Sequence, residues 1–291
     1  MDFGRFVSLP VVVVLLIMGF VYHTVVVWVI QPWLSLSTAS GLANAMLLTA
    51  LCIMALVSYA LAVIQDPGRV PSSYLPDLED SAITLHEVKR KGGDLRYCQK
   101  CGHYKPPRAH HCRVCRRCVL RMDHHCVWIN NCVGHNNYKV FFLFVLYLVA
   151  ASLQSLKGSI VKGKRFEGLL KFMGFCCTSL DSCEQVICTI VVLGALVTVG
   201  LLLAWHVYLL LHNKTTIEYH EGVRARWLAE KAGQHYRHPY DVGVFTNLSM
   251  ALGHSVACWL CPTATGHLGS GLRFRTFSDD LSHTQQSLSH G

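Results

Sequence analysis

Three stretches of this chain run without a charged side chain for longer than the hydrocarbon core of a bilayer is thick, and this limits its fold more than any other feature. Residues 7 to 30, "VSLPVVVVLLIMGFVYHTVVVWVI", carry no formal charge over 24 positions; residues 41 to 64, "GLANAMLLTALCIMALVSYALAVI", carry none over another 24; residues 186 to 211 carry none over 26. A helix advances about 1.5 Å per residue, so about 20 residues cross a hydrocarbon core. Three such runs have no place in a soluble core. The first is too long for a signal h-region and no small-residue cleavage site follows it. Residues 140 to 156, "VFFLFVLYLVAASLQSL", form a shorter fourth run between Lys139 and Lys157, whose stems can carry their charges outward. An even number of spans places both termini on one side.

Loop charge sets the orientation. Residues 65 to 138 hold 12 Lys and Arg against 7 Asp and Glu, and the loop 31 to 40 holds none, which puts the long loop and both termini in the cytosol. The loop 157 to 185 runs against this rule, with five basic residues (Lys157, Lys162, Lys164, Arg165, Lys171) on the luminal side. The thiols between 98 and 132 favour the larger loop, because a reducing cytosol is where clustered free cysteines belong. Net charge is +9, which orientation and attraction to anionic head groups or an anionic cofactor explain better than nucleic acid does.

The expected fold class is an all-α polytopic membrane protein with four transmembrane helices and a cytosolic, zinc-bound cysteine-rich domain between helices 2 and 3. Helices 1 and 2 occupy residues 1–64, a cytosolic linker 65–97, the cysteine-rich domain 98–138 and helices 3 and 4 residues 139–211. The C-terminal region, 212–291, is expected to contain a helix bearing Trp227 and Leu228 and an apolar stripe at Phe245, Leu248, Leu252, Val256 and Trp259. Ser, Gly and His dominate from about 266 onward, and that tail is expected to be disordered. Sequons at Asn213 and Asn247 fall on the cytosolic side and should stay unglycosylated. His23 and His206, inside spans, read as helix-packing residues. Cys176, Cys177 and Cys183 lie outside the cysteine cluster.

Seven of the 14 cysteines fall between 98 and 132, and the spacing C-x2-C occurs three times, at 98/101, 112/115 and 115/118. Two residues between ligands make a tight turn that points both sulfurs at one tetrahedral zinc. Two closed sites need eight ligands. Six cysteines without Cys126, plus His111 and His125, supply them. Cys126 is then spare beside His124 and Asp123, which is the composition of a nucleophile with an imidazole base and a carboxylate to orient it. Spacing alone leaves a second assignment open, in which Cys126 is a ligand and one histidine is spare.

The stretches "KRKGGDLRYCQKC", "PPRAHHCRVCRRCVLRMDHHC" and "NKTTIEYHEGVRA" resemble the DHHC cysteine-rich protein S-acyltransferases, or palmitoyltransferases, small plant members most of all. The resemblance covers nearly the whole chain. It implies one zinc on Cys98, Cys101, His111 and Cys118, and a second on Cys112, Cys115, His125 and Cys132, with Asp123, His124 and Cys126 as the catalytic group. "DPG" at Asp66, Pro67 and Gly68 matches a family motif. "TTIE" matches the family's TTxE at Thr215, Thr216 and Glu218, where a threonine contacts the catalytic aspartate, and Asn247 matches an asparagine of the C-terminal motif. One departure is Val127, where members commonly have proline.

The implied reaction moves a fatty acyl group, palmitoyl, from acyl-CoA through an acyl-cysteine on Cys126 to a cysteine of a substrate protein. Arg96, Lys105 and Arg108 are the candidates for the CoA phosphates. The expected partners are proteins with membrane-proximal cytosolic cysteines and membrane lipids, not nucleic acid. The expected location is an endomembrane, Golgi or vesicle. The rival reading is a zinc-stapled membrane adaptor in which Cys126 is inert.

Overall fold

The computed structural model describes residues 8–31, 35–76, 95–160, 180–264 and 269–277. Its long elements are four helices: α1 (Leu9–Thr24, continued by a π-helical turn Val25–Ile30), α2 (Ala39–Ile64), α3 (Tyr138–Ile160) and α4 (Leu180–Leu211). All four contain a stretch long and apolar enough to cross a membrane. The short fourth run is therefore a full helix, with Tyr138 and Lys139 inside its first turn rather than ahead of it. The chain divides into two compact units, residues 1–60 with 142–205 and residues 61–141 with 206–291.

The first unit is made from the spanning helices. Val25, Ile30, Leu48, Ala151 and Val192 are buried together. Two pairs of polar side chains inside it bond to each other: Tyr22 Oη lies 2.9 Å from Thr49 Oγ1, and Gln154 Nε2 donates to Asn44 Oδ1 at 2.8 Å. Leu16, Leu42, Met46, Ile190 and Val197 are exposed, which suits contact with lipid tails.

The second unit departs from an all-α reading in one respect. It contains three two-stranded antiparallel hairpins: β1 (Tyr97–Cys98) with β2 (His103–Tyr104), β3 (His110–Cys112) with β4 (Arg117–Val119), and β5 (His124–Cys126) with β6 (Asn131–Val133). Strands of two or three residues have almost no ladder of their own, so their order comes from what ties the turns. The apolar core is correspondingly small: Val70, Ala109 and Leu120 pack with Cys98 and Cys118, and Val119 and Met122 with Cys112 and Cys132. Much of each cluster is candidate metal ligand.

The end of α2 is closed by the same unit. Its last carbonyls have no partner within the helix, and Asn131 Nδ2 donates to the carbonyls of Ala62, Val63 and Gln65 at 3.1, 3.3 and 2.9 Å. Asp66 accepts from Gly68 N at 2.9 Å, Gly68 sits at φ +103, and its carbonyl accepts from Leu120 N at 2.9 Å. Gly134 passes so close that a Cβ there would lie 2.7 Å from the Pro67 carbonyl. The expected linker is thus ordered at both ends, with Val70 buried and Arg69 bridged to Val119. Its middle, 77–94, lies outside the described residues, as do loop residues 161–179 with Cys176 and Cys177.

Beyond α4 come α5 (Thr216–Lys231) and α6 (Val244–Leu252). Trp227 and Leu228 are exposed on α5. The expected apolar stripe is split: Leu252 is buried while Phe245 and Val256 are exposed, because α6 turns Asn247 inward. The expectation of a disordered tail from 266 is corrected at residues 269–277, which pack on the second unit through Leu272 and Phe274. Residues 278–291 lie outside the described residues.

Candidate active site and metal centres

Side chains alternate faces along a strand, and this parity sorts the crowded ligands. In β3, His111 goes to one centre and its neighbour Cys112 to the other; in β5, His125 faces Cys132 across the register while His124 and Cys126 take the opposite face. Two groups result: Cys98, Cys101, His111 and Cys118, and Cys112, Cys115, His125 and Cys132, each with ligand atoms within 4.8 Å of one another. In both, the histidine presents Nδ1, at 3.2 to 3.9 Å from the three sulfurs of the first group and 3.4 to 3.7 Å from those of the second. Cys118 and Cys101 bring their sulfurs to 3.7 Å, and Cys115 and Cys132 theirs to 3.5 Å. A tetrahedral zinc with bonds of about 2.3 Å to sulfur and about 2.0 Å to nitrogen has ligand edges of about 3.5 to 3.8 Å. Both groups fit that ion.

On the other face of β5, His124 Nδ1 donates to Asp123 Oδ2 at 2.7 Å, which leaves Nε2 for its hydrogen bond with the Cys126 sulfur. Asp123 is fully buried and Cys126 is 7% exposed, whereas Trp128 just past it is 60% exposed. Burial acts against the Cys126 thiolate, but His124, then the backbone N–H groups of Ile129 and Trp128, hold the thiol below its ordinary pKa. Burial also acts against the imidazolium, yet Asp123 and the Cys126 sulfur push His124 up to about 9. For Asp123, the bond and charge of His124 outweigh burial and keep the carboxyl below its usual range. Thiol, imidazole and carboxylate thus form one line of hydrogen bonds.

Thr216 supports the carboxylate from the far side of the sequence. Its N–H donates to Asp123 Oδ1 at 2.9 Å and its hydroxyl to Oδ2 at 3.0 Å. This threonine is the first residue of α5, aimed by a capping box: Thr215 Oγ1 accepts from Glu218 N at 3.2 Å, and Glu218 Oε2 accepts from Thr215 N at 2.9 Å. Glu218 in turn takes a two-pronged bond from Arg108, at 2.7 Å from Nε and 2.9 Å from Nη2. Burial would raise Glu218, but Arg108 outweighs it and brings the carboxyl down to about 2. Arg108 also donates to the carbonyl and side-chain oxygens of Asn213, at 2.7 and 3.2 Å.

Arg96, Lys105 and Arg108 line one cavity of about 950 Å³, together with Lys100, Arg113 and Glu221. Arg108 differs from its expected role. It is 3% exposed and its donors are used by Glu218 and Asn213, so in this structure it anchors α5. Arg96 donates to the carbonyl of Ala109 at 3.0 Å. Cys126 is not among the residues lining this cavity. Asn247, fully buried, donates to the Leu211 carbonyl and to Asp241 at 2.7 and 2.8 Å and so fixes the chain after α4.

Three contributors do not stand out in the sequence. His206, expected in helix packing, lies 3.3 Å from Tyr138 Oη; its ring is 5.9 Å from that of His124, and it clusters with Asp123 and His124. Asn213, visible only as a sequon, is buried and receives both Arg108 and Arg121. Phe274 falls in the expected tail. A histidine within an otherwise apolar span is the one signal available for His206, and for Phe274 there is none.

A family model described as DHHC palmitoyltransferase matches residues 91–223 of this chain. "Probable protein S-acyltransferase 16" of Arabidopsis thaliana is 55% identical over 283 residues, covering 96% of each chain. "Probable protein S-acyltransferase 15" of the same plant is 45% identical over 90% of this chain and 100% of its own length. "Palmitoyltransferase ZDHHC15A" of Danio rerio is 30% identical over 94% of this chain and 86% of its own.

Proposed function

The chain belongs to the DHHC palmitoyltransferases and is a protein S-acyltransferase; within that activity we propose that Cys126 carries the acyl group. The observation that carries this reading is the line Thr216–Asp123–His124–Cys126, set on the strand face opposite the metal ligands. His124, held by Asp123, takes the proton of Cys126. The thiolate attacks the thioester carbonyl of a long-chain acyl-CoA, a bond forms to Cys126 Sγ, and the CoA thiolate leaves with a proton. A cysteine thiolate of a substrate protein then attacks the acyl-enzyme, and Cys126 is released. Two near-isoenergetic thioester exchanges replace one direct transfer.

Two zinc ions on the two Cys/His groups supply cross-links in place of the core these hairpins lack. Arg96 and Lys105, with Lys100 beside them, hold the phosphates of CoA in this reading, and Arg108 serves α5 instead. Substrate proteins present membrane-proximal cytosolic cysteines. The protein is a multi-pass membrane protein, and we place its termini in the cytosol and its residence in a Golgi or vesicle membrane on loop charge and resemblance alone.

The test is incubation of the detergent-purified protein with alkyne-tagged palmitoyl-CoA, followed by hydroxylamine release, with zinc measured in parallel. Hydroxylamine-labile label on the wild type, absent from Cys126→Ser at unchanged zinc of about two per chain, is the expected result. An unlabelled wild type, or a Cys126→Ser protein that loses zinc, returns the thiol to a structural role and favours the adaptor reading.

A further inference from the structure

Residues 269–277 are docked although the chemistry above does not use them. His135 Nε2 lies 3.1 Å from the Gly269 carbonyl. Gly271 has φ +68, and a Cβ there would lie 2.6 Å from the His135 ring, so glycine alone lets the chain pass. Leu272 packs on the Val70, Cys98 and Ala109 cluster. Phe277 N donates to the Pro239 carbonyl at 2.9 Å, with the Arg237 guanidinium 3.4 Å above its ring. Between these points, Phe274 places its ring 4.9 Å from the Arg108 guanidinium carbon, and Tyr240 lies 4.4 Å from the same atom.

Arg108 is the point at which this strap meets the active site. The edges of its guanidinium are spent on Glu218 and Asn213, and its backbone sits at φ 64, unusual for an arginine. What remains is its flat face, and the rings of Phe274 and Tyr240 are what cover it. From Arg108 the connections run through Glu218 to the first turn of α5, and from Thr216 to both oxygens of Asp123. We propose that the strap is a clamp on the catalytic carboxylate and that Phe274 is a positioning residue for the acyl-transfer reaction, acting through Arg108, Glu218 and Thr216. Without the ring, water reaches the guanidinium, the Arg108–Glu218 pair loosens and Thr216 loses its aim. A displacement near 1 Å at a reacting group costs about 100-fold in rate, so a partial loss of aim is expected to cost about tenfold.

The proposal rests on Cys126 as acyl carrier, and the experiment separates the two by pairing a kinetic readout with one that needs no activity. The first readout is the rate of Cys126 acylation against palmitoyl-CoA concentration for wild type, Phe274→Ala, Phe274→Leu, Phe274→Trp, Thr216→Val and the double variant Thr216→Val/Phe274→Ala. Phe274→Ala and Phe274→Leu should lower the maximal rate about tenfold at unchanged half-saturating acyl-CoA and unchanged zinc. Phe274→Trp should restore it, and the double variant should be no slower than Thr216→Val alone, because both changes cut one line. The second readout is amide hydrogen exchange of the first turn of α5, which should quicken in Phe274→Ala and Phe274→Leu and not in Phe274→Trp. Phe274→Leu keeps an apolar side chain in place, so it reports on the clamp even if the alanine protein folds poorly. Multiplicative rates in the double variant, or unchanged exchange at α5, overturn the clamp whether or not Cys126 carries acyl.

Discussion

Asp123 accepts three hydrogen bonds with two oxygens, one from His124 and two from Thr216, and it does so without exposure to water. An asparagine there would present an amide N–H to a group that already donates. Asp123→Asn is therefore expected to lower the rate of acyl-enzyme formation by about 10⁴, the scale seen when a buried triad carboxylate becomes an amide, with zinc content unchanged. Arg96→Ala and Lys105→Ala should instead raise the half-saturating acyl-CoA concentration and leave the maximal rate near wild type, as loss of uniform binding requires; a fall in the maximal rate alone would remove the phosphate assignment. At this scale the sequence is informative where chemistry is written in spacing. The C-x2-C pairs can be read directly, while Asp123, His124 and Cys126 are visible as neighbours whose division between ligand and spare thiol the spacing leaves open. Arg108 cannot, because its partner Glu218 lies 110 residues away and a basic residue without a visible partner reads as available charge.

Among the elements, the capping box of α5 does two jobs: it starts the helix cleanly and delivers Thr216 to Asp123. Thr215→Ala should cost about 1 kcal/mol of stability and should also slow acylation, which loss of an exposed helix cap would not. With zinc on the two ligand groups, the hairpins would depend on metal in a similar double way. Neither ligand group includes Cys126 or His124, yet the strand pair β5–β6 that carries them holds His125 and Cys132 of the second group. Chelation is expected to abolish acylation and zinc addition to restore it, and retention of full activity in the metal-free protein would refute the structural role. The helices are legible because hydropathy is local, and their bounds fall within a turn or two of expectation. The hairpins are not, since two-residue strands have no periodicity to detect and their order comes from ligands instead.

Over the whole molecule, four apolar helices make this a multi-pass membrane protein, and the second unit carries the polar chemistry. Both sequons are buried, Asn213 on Arg108 and Arg121, Asn247 on Leu211 and Asp241. Glycosidase treatment is expected to leave the mobility of the cell-expressed protein unchanged, whereas a sequon placed in the 31–40 loop should be modified if that loop is luminal. The Arg108–Glu218 pair adds a pH signature. Glu218 has its pKa depressed to about 2, so its stabilisation is fully present above the unfolded value and fades as pH falls from about 4.3 towards 2. The gap in melting temperature between wild type and Glu218→Gln should stay constant near neutrality and narrow on the acid side. The strap at 269–277 is invisible to sequence reading, because its Gly-rich and Ser-rich surroundings resemble a tail and its order comes from His135, Pro239 and Arg108.

The two-residue period of β5 has a consequence for how metal and lipid share so short a stretch. Neighbouring residues 125 and 126 can both bind zinc, yet one joins a ligand group and the other pairs with His124, and the alternation of faces along the strand separates them. Slipping the strand by one residue would exchange their roles, turning the proposed acyl carrier into a ligand and the ligand into a bystander. With zinc on the second group, alternation of faces would keep the thiol out of the metal site, and a one-residue insertion within β5 should lower both zinc content and acylation, measured side by side.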